Sequence, residues 1–349
     1  MSGQVSKCKV FIDYPAYFRA IGQQIQVFDG SDPQMTGDDL NDVFTLNPSE
    51  TKEFYWDGQY HNMDFICALG DPNNTEIRKL NSSINYVALL NHNFYSFHGL
   101  TDTDAWHRMG GCSIANDSVG FHDFNQISLV NTGAPLAASG FYLASIDSNG
   151  WTDSNNYGFS YAFNIQSQTS DPLKLGAISV GRSFSFPYNA DVNMSISYNA
   201  DGIKKSRSKG GRDIVDVNYY RQPDWDGRMP FVRSDTKDLI PHVGNRSWDL
   251  TFSYLSADDT FPQDMGENFM FDNVFTQEGM SVSWLNHGTE NIISHFMGLS
   301  LNGQIPFIFQ PSDAEDTFAM CRLRSNSFSV QQSAPNLYTC KMIFDETRV

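Results

Sequence analysis

Long apolar runs are missing from this 349-residue chain. Nothing in it approaches the roughly 20 consecutive apolar residues that a membrane-spanning helix requires. The opening residues, Met1-Ser2-Gly3-Gln4-Val5-Ser6-Lys7, have no apolar stretch of the kind that defines a secretory leader. Synthesis in a cytoplasm, without export by that route, is the expectation. Cysteine is scarce: Cys8, Cys67, Cys112, Cys321 and Cys340 are odd in number, widely spaced and free of any CxxC pair. They read as free, mostly buried thiols, with neither a disulfide framework nor a metal site. Positive charge is scarce as well, with 23 Lys and Arg against 40 Asp and Glu and a formal net charge of −17. A chain this acidic repels nucleic acid and anionic membrane surfaces. There is also no Gly-x-Ser-x-Gly elbow, HExxH pair or Walker loop. The expectation is a protein that is not an enzyme and carries no cofactor.

Aromatic residues are abundant, at 14% with 27 Phe and 15 Tyr. These are strand formers. Asn, Ser, Asp and Gly interrupt the chain every eight to twelve residues, which predicts many short strands and an all-β fold. The length predicts two domains. The polar stretch Gln166-Ser167-Gln168-Thr169-Ser170-Asp171-Pro172 supplies a boundary, dividing residues 1–172 from 173–349. Before it, Ile84 to Asn93 reads as a buried strand that ends in polar residues. Beyond it, Trp248, Leu250, Phe252 and Tyr254 alternate with polar neighbours, as do Val192, Met194, Ile196 and Tyr198. One helix is predicted over 290–301, with Ile292, Phe296 and Leu299 on one face and Asn302-Gly303 as its stop.

The C-terminal stretch carries the clearest pattern. An apolar run, Ile305 to Phe309, precedes two strand-like runs, Phe318 to Val330 and Leu337 to Phe344, joined by a turn over 331–336. Tyr338, Cys340, Met342 and Phe344 fall on one face, Thr339 and Lys341 on the other.

Three stretches could carry function. Lys204, Lys205, Arg207, Lys209 and Arg212 gather five cations in nine positions, which leaves −22 on the other 340 residues. Such a concentration fits a loop that docks on the acidic surface of a neighbouring subunit. A solvated hairpin tip is the plain alternative. Nucleic-acid contact fits less well, because no aromatic residue interleaves the charges to stack on bases. The acidic loops Asp29, Asp32, Asp38, Asp39 and Asp147, Asn149, Asp153 lack the EF-hand spacing and read as surface turns. Finally, His92, Asn93, His98, Trp106 and His107 set His beside Asn or aromatics, a composition suited to a saccharide if they share a loop rim, with rim and core residues of a β-sandwich as the plain alternative.

The second half resembles tail-tube-related virion proteins of tailed bacteriophages, especially distal tail proteins. The resemblance rests on Gly181-Arg182-Ser183-Phe184-Ser185-Phe186-Pro187, the basic loop, Arg246 to Phe252, Gly303 to Pro311, and Phe328 to Tyr338, in that order. The first half is similar to a galactose-binding, discoidin-type jelly roll, mainly through Ile84 to Asn93. The resemblance implies two β-sandwich domains. The second would carry one flanking helix and form a homohexameric ring, with Lys204 to Arg212 as the loop that reaches a neighbour. It further implies a structural role in the phage tail, joining the tail tube to tip proteins, with other virion proteins as partners. An adhesin of capsid or fibre that binds host-surface glycan through the first domain is the alternative. Neither reading involves a membrane or sequence-specific nucleic acid.

Overall fold

The computed structural model describes residues 7–29, 36–48, 50–55, 60–69, 84–93, 107–115, 118–121, 125–126, 141–145, 158–166, 172–191, 195–199, 203–217, 245–261, 291–314, 317–325 and 329–347. These residues form an all-β protein with few and short helices. Twelve strands make one large sheet: β1 (Lys9–Asp13), β3 (Thr36–Gly37), β4 (Lys52–Tyr55), β6 (Tyr86–His92), β10 (Phe141–Ser145), β12 (Leu173–Ser185), β13 (Ser195–Asn199), β16 (Asn245–Leu255), β17 (Phe307–Gln310), β18 (Ala319–Leu323), β19 (Val330–Ala334) and β20 (Leu337–Glu346). Its order runs β10-β6-β12-β1-β17-β18-β20-β16-β13, with β19 on β20 and β4 on β12. A second sheet holds β2 (Ile25–Asp29), β5 (Tyr60–Leu69), β7 (His107–Ala115), β8 (Ser118–Phe121), β9 (Asn125–Gln126) and β11 (Gly158–Gln166). Two further strands, β14 (Ile203–Arg207) and β15 (Asp213–Val217), pair only with each other.

The boundary expected at 172/173 does not divide the large sheet. β12 begins one residue past Pro172 and is flanked by strands from earlier in the chain: β6 on one side, β4 and then β1 on the other. β1 in turn lies between β12 and β17, antiparallel to both. The reason is visible in the composition of these strands. Val10, Phe11 and Ile12 are all apolar and all buried, because Val10 and Ile12 enter one core cluster while Phe11 enters another across the sheet. Phe307 and Phe309 against Ile308, and Val87 and Leu89 against Tyr86, Ala88 and Leu90, divide in the same way. An uninterrupted apolar run is what a strand with two buried faces requires. The run Ile84 to Asn93 therefore marks a central strand of the shared sheet, not a separate jelly roll.

The expected helix is present as a π-helix over Ile292–Gly298 that buries Ile292, Phe296 and Met297, with Leu299 just beyond. Asn302 and Gly303 take left-handed backbone, φ 56° and 71°, and end it as predicted. Phe296 packs edge-on to Phe307 and Phe344, tying the helix to the sheet. A short helix α1 (Tyr14–Ala20) follows β1 directly and packs on β12 of the large sheet and on β2 and β5 of the second.

Gly181 marks the tightest approach of β1 and β12. A Cβ at this position would lie 2.1 Å from the Ile12 carbonyl oxygen and 3.0 Å from the Tyr14 ring. The Ile12 carbonyl and the Tyr14 N–H are backbone and the Tyr14 ring is fully buried, so nothing flexible is there to give way. Gly181→Ala is expected to cost about 1–3 kcal/mol, as overpacking of a rigid site does. Equilibrium denaturation measures the loss, and an unchanged midpoint would show that β1 can shift outward at little cost.

Candidate interaction arm

The five clustered cations lie on the β14–β15 hairpin. Its register places Lys204 opposite Asp216, Lys205 opposite Val215 and Arg207 opposite Asp213. The connection is a three-residue loop, Lys209-Gly210-Gly211. Ser208 N–H donates to the Arg212 carbonyl at 2.8 Å, Gly211 N–H donates to the Ser208 carbonyl at 2.9 Å, and Arg212 N–H donates to Ser208 Oγ at 3.0 Å. Gly211 has φ 81°, the left-handed backbone that this loop geometry assigns to its third residue. Gly211 thus shapes a defined turn at the tip.

Across the tip, Arg207 Nε donates to the Gly211 carbonyl at 3.2 Å and lies 3.7 Å from Asp213 Oδ1. Both side chains are about three-quarters exposed or more, so the pair holds the tip only weakly. Lys209 and Arg212 are exposed, and so is Ile214. Asp213 and Asp216 on the return strand lower the net charge of 203–217 to +3 from the five cations counted in 204–212. Among the described residues, β14 and β15 pack on each other and on no third element to a comparable extent. An isolated two-stranded hairpin is marginally stable in water. What the arrangement can do chemically is present cations on a short two-stranded arm, ready for carboxylates.

Of the five residues proposed for a saccharide, three lie among the described residues. His92 is buried at the end of β6. Asn93 spends its amide inside the protein: Nδ2 donates to the Pro172 carbonyl at 3.0 Å and Oδ1 accepts from Lys174 N–H at 2.8 Å. Its amide splices β6 to the start of β12. His107 opens β7 in the second sheet. His98 and Trp106 lie outside the described residues. The acidic turn is also used locally. Asp39 Oδ1 accepts from Asn41 N–H at 2.9 Å and caps a 3₁₀ turn over Leu40–Phe44, and Asp38 Oδ2 accepts from Glu53 N–H at 2.8 Å. Cys8, Cys321 and Cys340 are free and buried, as expected. Burial pushes the Cys8 thiol up to about 11 and the Cys340 thiol to about 12, which makes them inert.

Two polar groupings were not legible in the sequence. At one margin of the large sheet, Arg246 pairs with buried Glu346 and Arg324 pairs with Asp345. At another, Asp13 is buried where β1 meets α1. A local signal existed for the second: Asp13 precedes Tyr14-Pro15, and an Asp followed by an early Pro is a helix-start signature. Comparison of the chain with protein-family models, with curated proteins and with solved structures finds no match.

Proposed function

We propose that the chain is a structural component of a phage virion, a ring-forming distal tail or baseplate protein that joins the tail tube to tip proteins. The observation that supports this reading is the basic hairpin, carried outside the sheets of an otherwise acidic chain. The hairpin and the surface it seeks are different patches of the same molecule. A contact between them is therefore heterologous, and repeated heterologous contacts close into rings when the rotation allows. Attraction of +3 to a body of opposite sign gives such a contact both speed and register. The glycan-adhesin alternative loses His92 and Asn93 to internal roles and is not carried further.

Salt and charge reversal test the reading. The full-length protein is expected to self-associate at micromolar concentration in about 0.1 M salt and to dissociate toward 1 M, as the Debye length falls from about 10 Å to about 3 Å. Lys204→Glu, Lys205→Glu and Arg207→Glu together should weaken association on the order of a hundredfold with an unchanged melting temperature. Sedimentation and electron micrographs read both effects. A wild-type protein that stays monomeric at every salt concentration, with no ring on the grid, would sink the proposal. Tight, salt-sensitive DNA binding that the triple variant loses would replace it with a nucleic-acid role.

A further inference from the structure

The large sheet ends in β13, which pairs with β16 and with no other described strand. Ser195, Ile196 and Ser197 are all exposed, so the strand is open over consecutive residues that point to opposite faces. Ile196 stands opposite Trp248 in the register, on the face where Trp248 is 1% exposed, yet it is itself 47% exposed. The core stops one strand short of covering it.

A bare strand edge is a template for another strand, and folded proteins guard it. The other margins of the large sheet are guarded. β10, at the far end, has Phe141, Tyr142 and Leu143 buried. β19 carries a register shift between Gln332 and Ala334 and stops at Pro335. β3 is two residues long. β13 has none of these devices. Its register against β16 is unbroken from Ser195 to Asn199, and it contains no proline and no charge. The nearest charged residues along the chain are Asp191 and Asp201.

Charge also selects the occupant. Each copy carries −17, so two copies repel wherever carboxylates face each other. β13 is a strip on which two copies approach with no like charges opposed. Turned about a two-fold axis through Ile196, the strand is its own antiparallel partner. Ile196 then lies opposite the partner's Ile196, and Ser195 opposite the partner's Ser197. The apolar pair forms at the core margin, where each Ile196 is otherwise half exposed.

We infer that β13 is a docking edge for a second copy of this chain, joined antiparallel across a two-fold axis so that the two large sheets become one. This contact is isologous and does not use the arm, so it is independent of the ring reading. A two-fold contact and a heterologous one coexist when they use different surfaces of the same protein. A contact this short lies at the low end of interface sizes and is weak and reversible.

Salt separates the two contacts. The arm contact weakens as salt rises, whereas this one strengthens, because screening relieves the repulsion between two acidic bodies. The full-length variant carrying Lys204→Glu, Lys205→Glu and Arg207→Glu lacks the attraction of the arm. Sedimentation equilibrium of that variant is expected to show a dimer whose association constant rises on the order of tenfold from about 0.1 M to about 1 M salt. Adding Ile196→Lys sets two like charges face to face and should lower the constant at high salt on the order of tenfold. A monomer at high salt, or an Ile196→Lys dimer as tight as its parent, overturns the inference. Crosslinking reads the register. Ile196→Cys, opposed by its own copy, should form an intermolecular disulfide on the order of ten times faster than Tyr254→Cys, which is 73% exposed but lies on β16. Equal rates overturn the two-fold pairing, and this comparison decides if Ile196→Lys fails to fold.

Discussion

Residues 173–349 produced without residues 1–172 are expected not to fold. β1 fills the space between β12 and β17, and without it Gly181–Ser185 and Phe307–Gln310 each lose the hydrogen-bonding partner on that edge. Val10, Phe11 and Ile12 are exposed by 0%, 3% and 1% in the intact protein. Burying a side chain of this kind is worth about 1.5–3 kcal/mol, so these three account for roughly 5–9 kcal/mol. That sum is comparable to the whole stability of a typical domain, about 5–15 kcal/mol. Loss of β6 and β4 from the other parts of β12 adds to it. The fragment should show no cooperative thermal transition and should collect in aggregates, since bared strand edges invite pairing. Coexpression of residues 1–172 should restore a soluble complex. A cooperative melt of the isolated fragment would show that β1 is dispensable.

The second large effect concerns Glu346. Its side chain is 2% exposed and accepts three bonds from one residue: Arg246 N–H at 2.9 Å, Nε at 3.1 Å and Nη2 at 2.8 Å. The same guanidinium donates to the Phe318 carbonyl at 3.2 Å and lies 5.0 Å over the Trp248 ring. It thereby links β16 and β20 to the chain entering β18. Arg246→Met removes the cation and strands a buried carboxylate. The expected cost is about 3–5 kcal/mol by urea denaturation. Replacing both partners, Arg246→Met with Glu346→Leu, removes the stranded charge and should recover most of the loss. If the double variant is no better than the single one, packing on Trp248 and not charge is what Arg246 supplies. The neighbouring Arg324–Asp345 pair is more exposed and bidentate, at 2.8 and 2.6 Å, and its removal should matter less.

The sequence was readable where one rule acted alone. In β20 Cys340, Met342 and Phe344 are buried, Tyr338 is partly so and Lys341 is exposed, as period two requires. The run expected over 318–330 holds β18, which ends at Leu323, and only the first residue of β19, and residues 331–334 belong to β19 and not to a turn. Only Pro335 and Asn336 make the turn, with Asn336 at φ 57°. In β16 the alternation Trp248, Leu250, Phe252 is buried, yet Tyr254 is 73% exposed. A register shift between Phe252 and Leu255 inserts an extra residue, and Leu255 takes the inward place while Tyr254 adopts φ 63°. No local pattern announces a bulge. Nor could any local pattern announce that β1 belongs beside residues 170 to 300 positions away. The cations of the arm were legible as composition, whereas Asp213 and Asp216 acquire meaning only from the register that sets them opposite Arg207 and Lys204.

The placement of β1 also fixes a clock. Its second partner strand ends at Gln310, so β1 waits for about 300 further residues before both of its edges can be met. At about 5–20 residues per second, that interval is on the order of 15–60 s. Throughout it, Val10, Phe11 and Ile12 have no completed slot to enter. Closing so distant a pair also carries a large loop entropy, which places this fold among the slow ones. The rate at which soluble protein accumulates should therefore depend on whatever shields those few residues while the ribosome finishes.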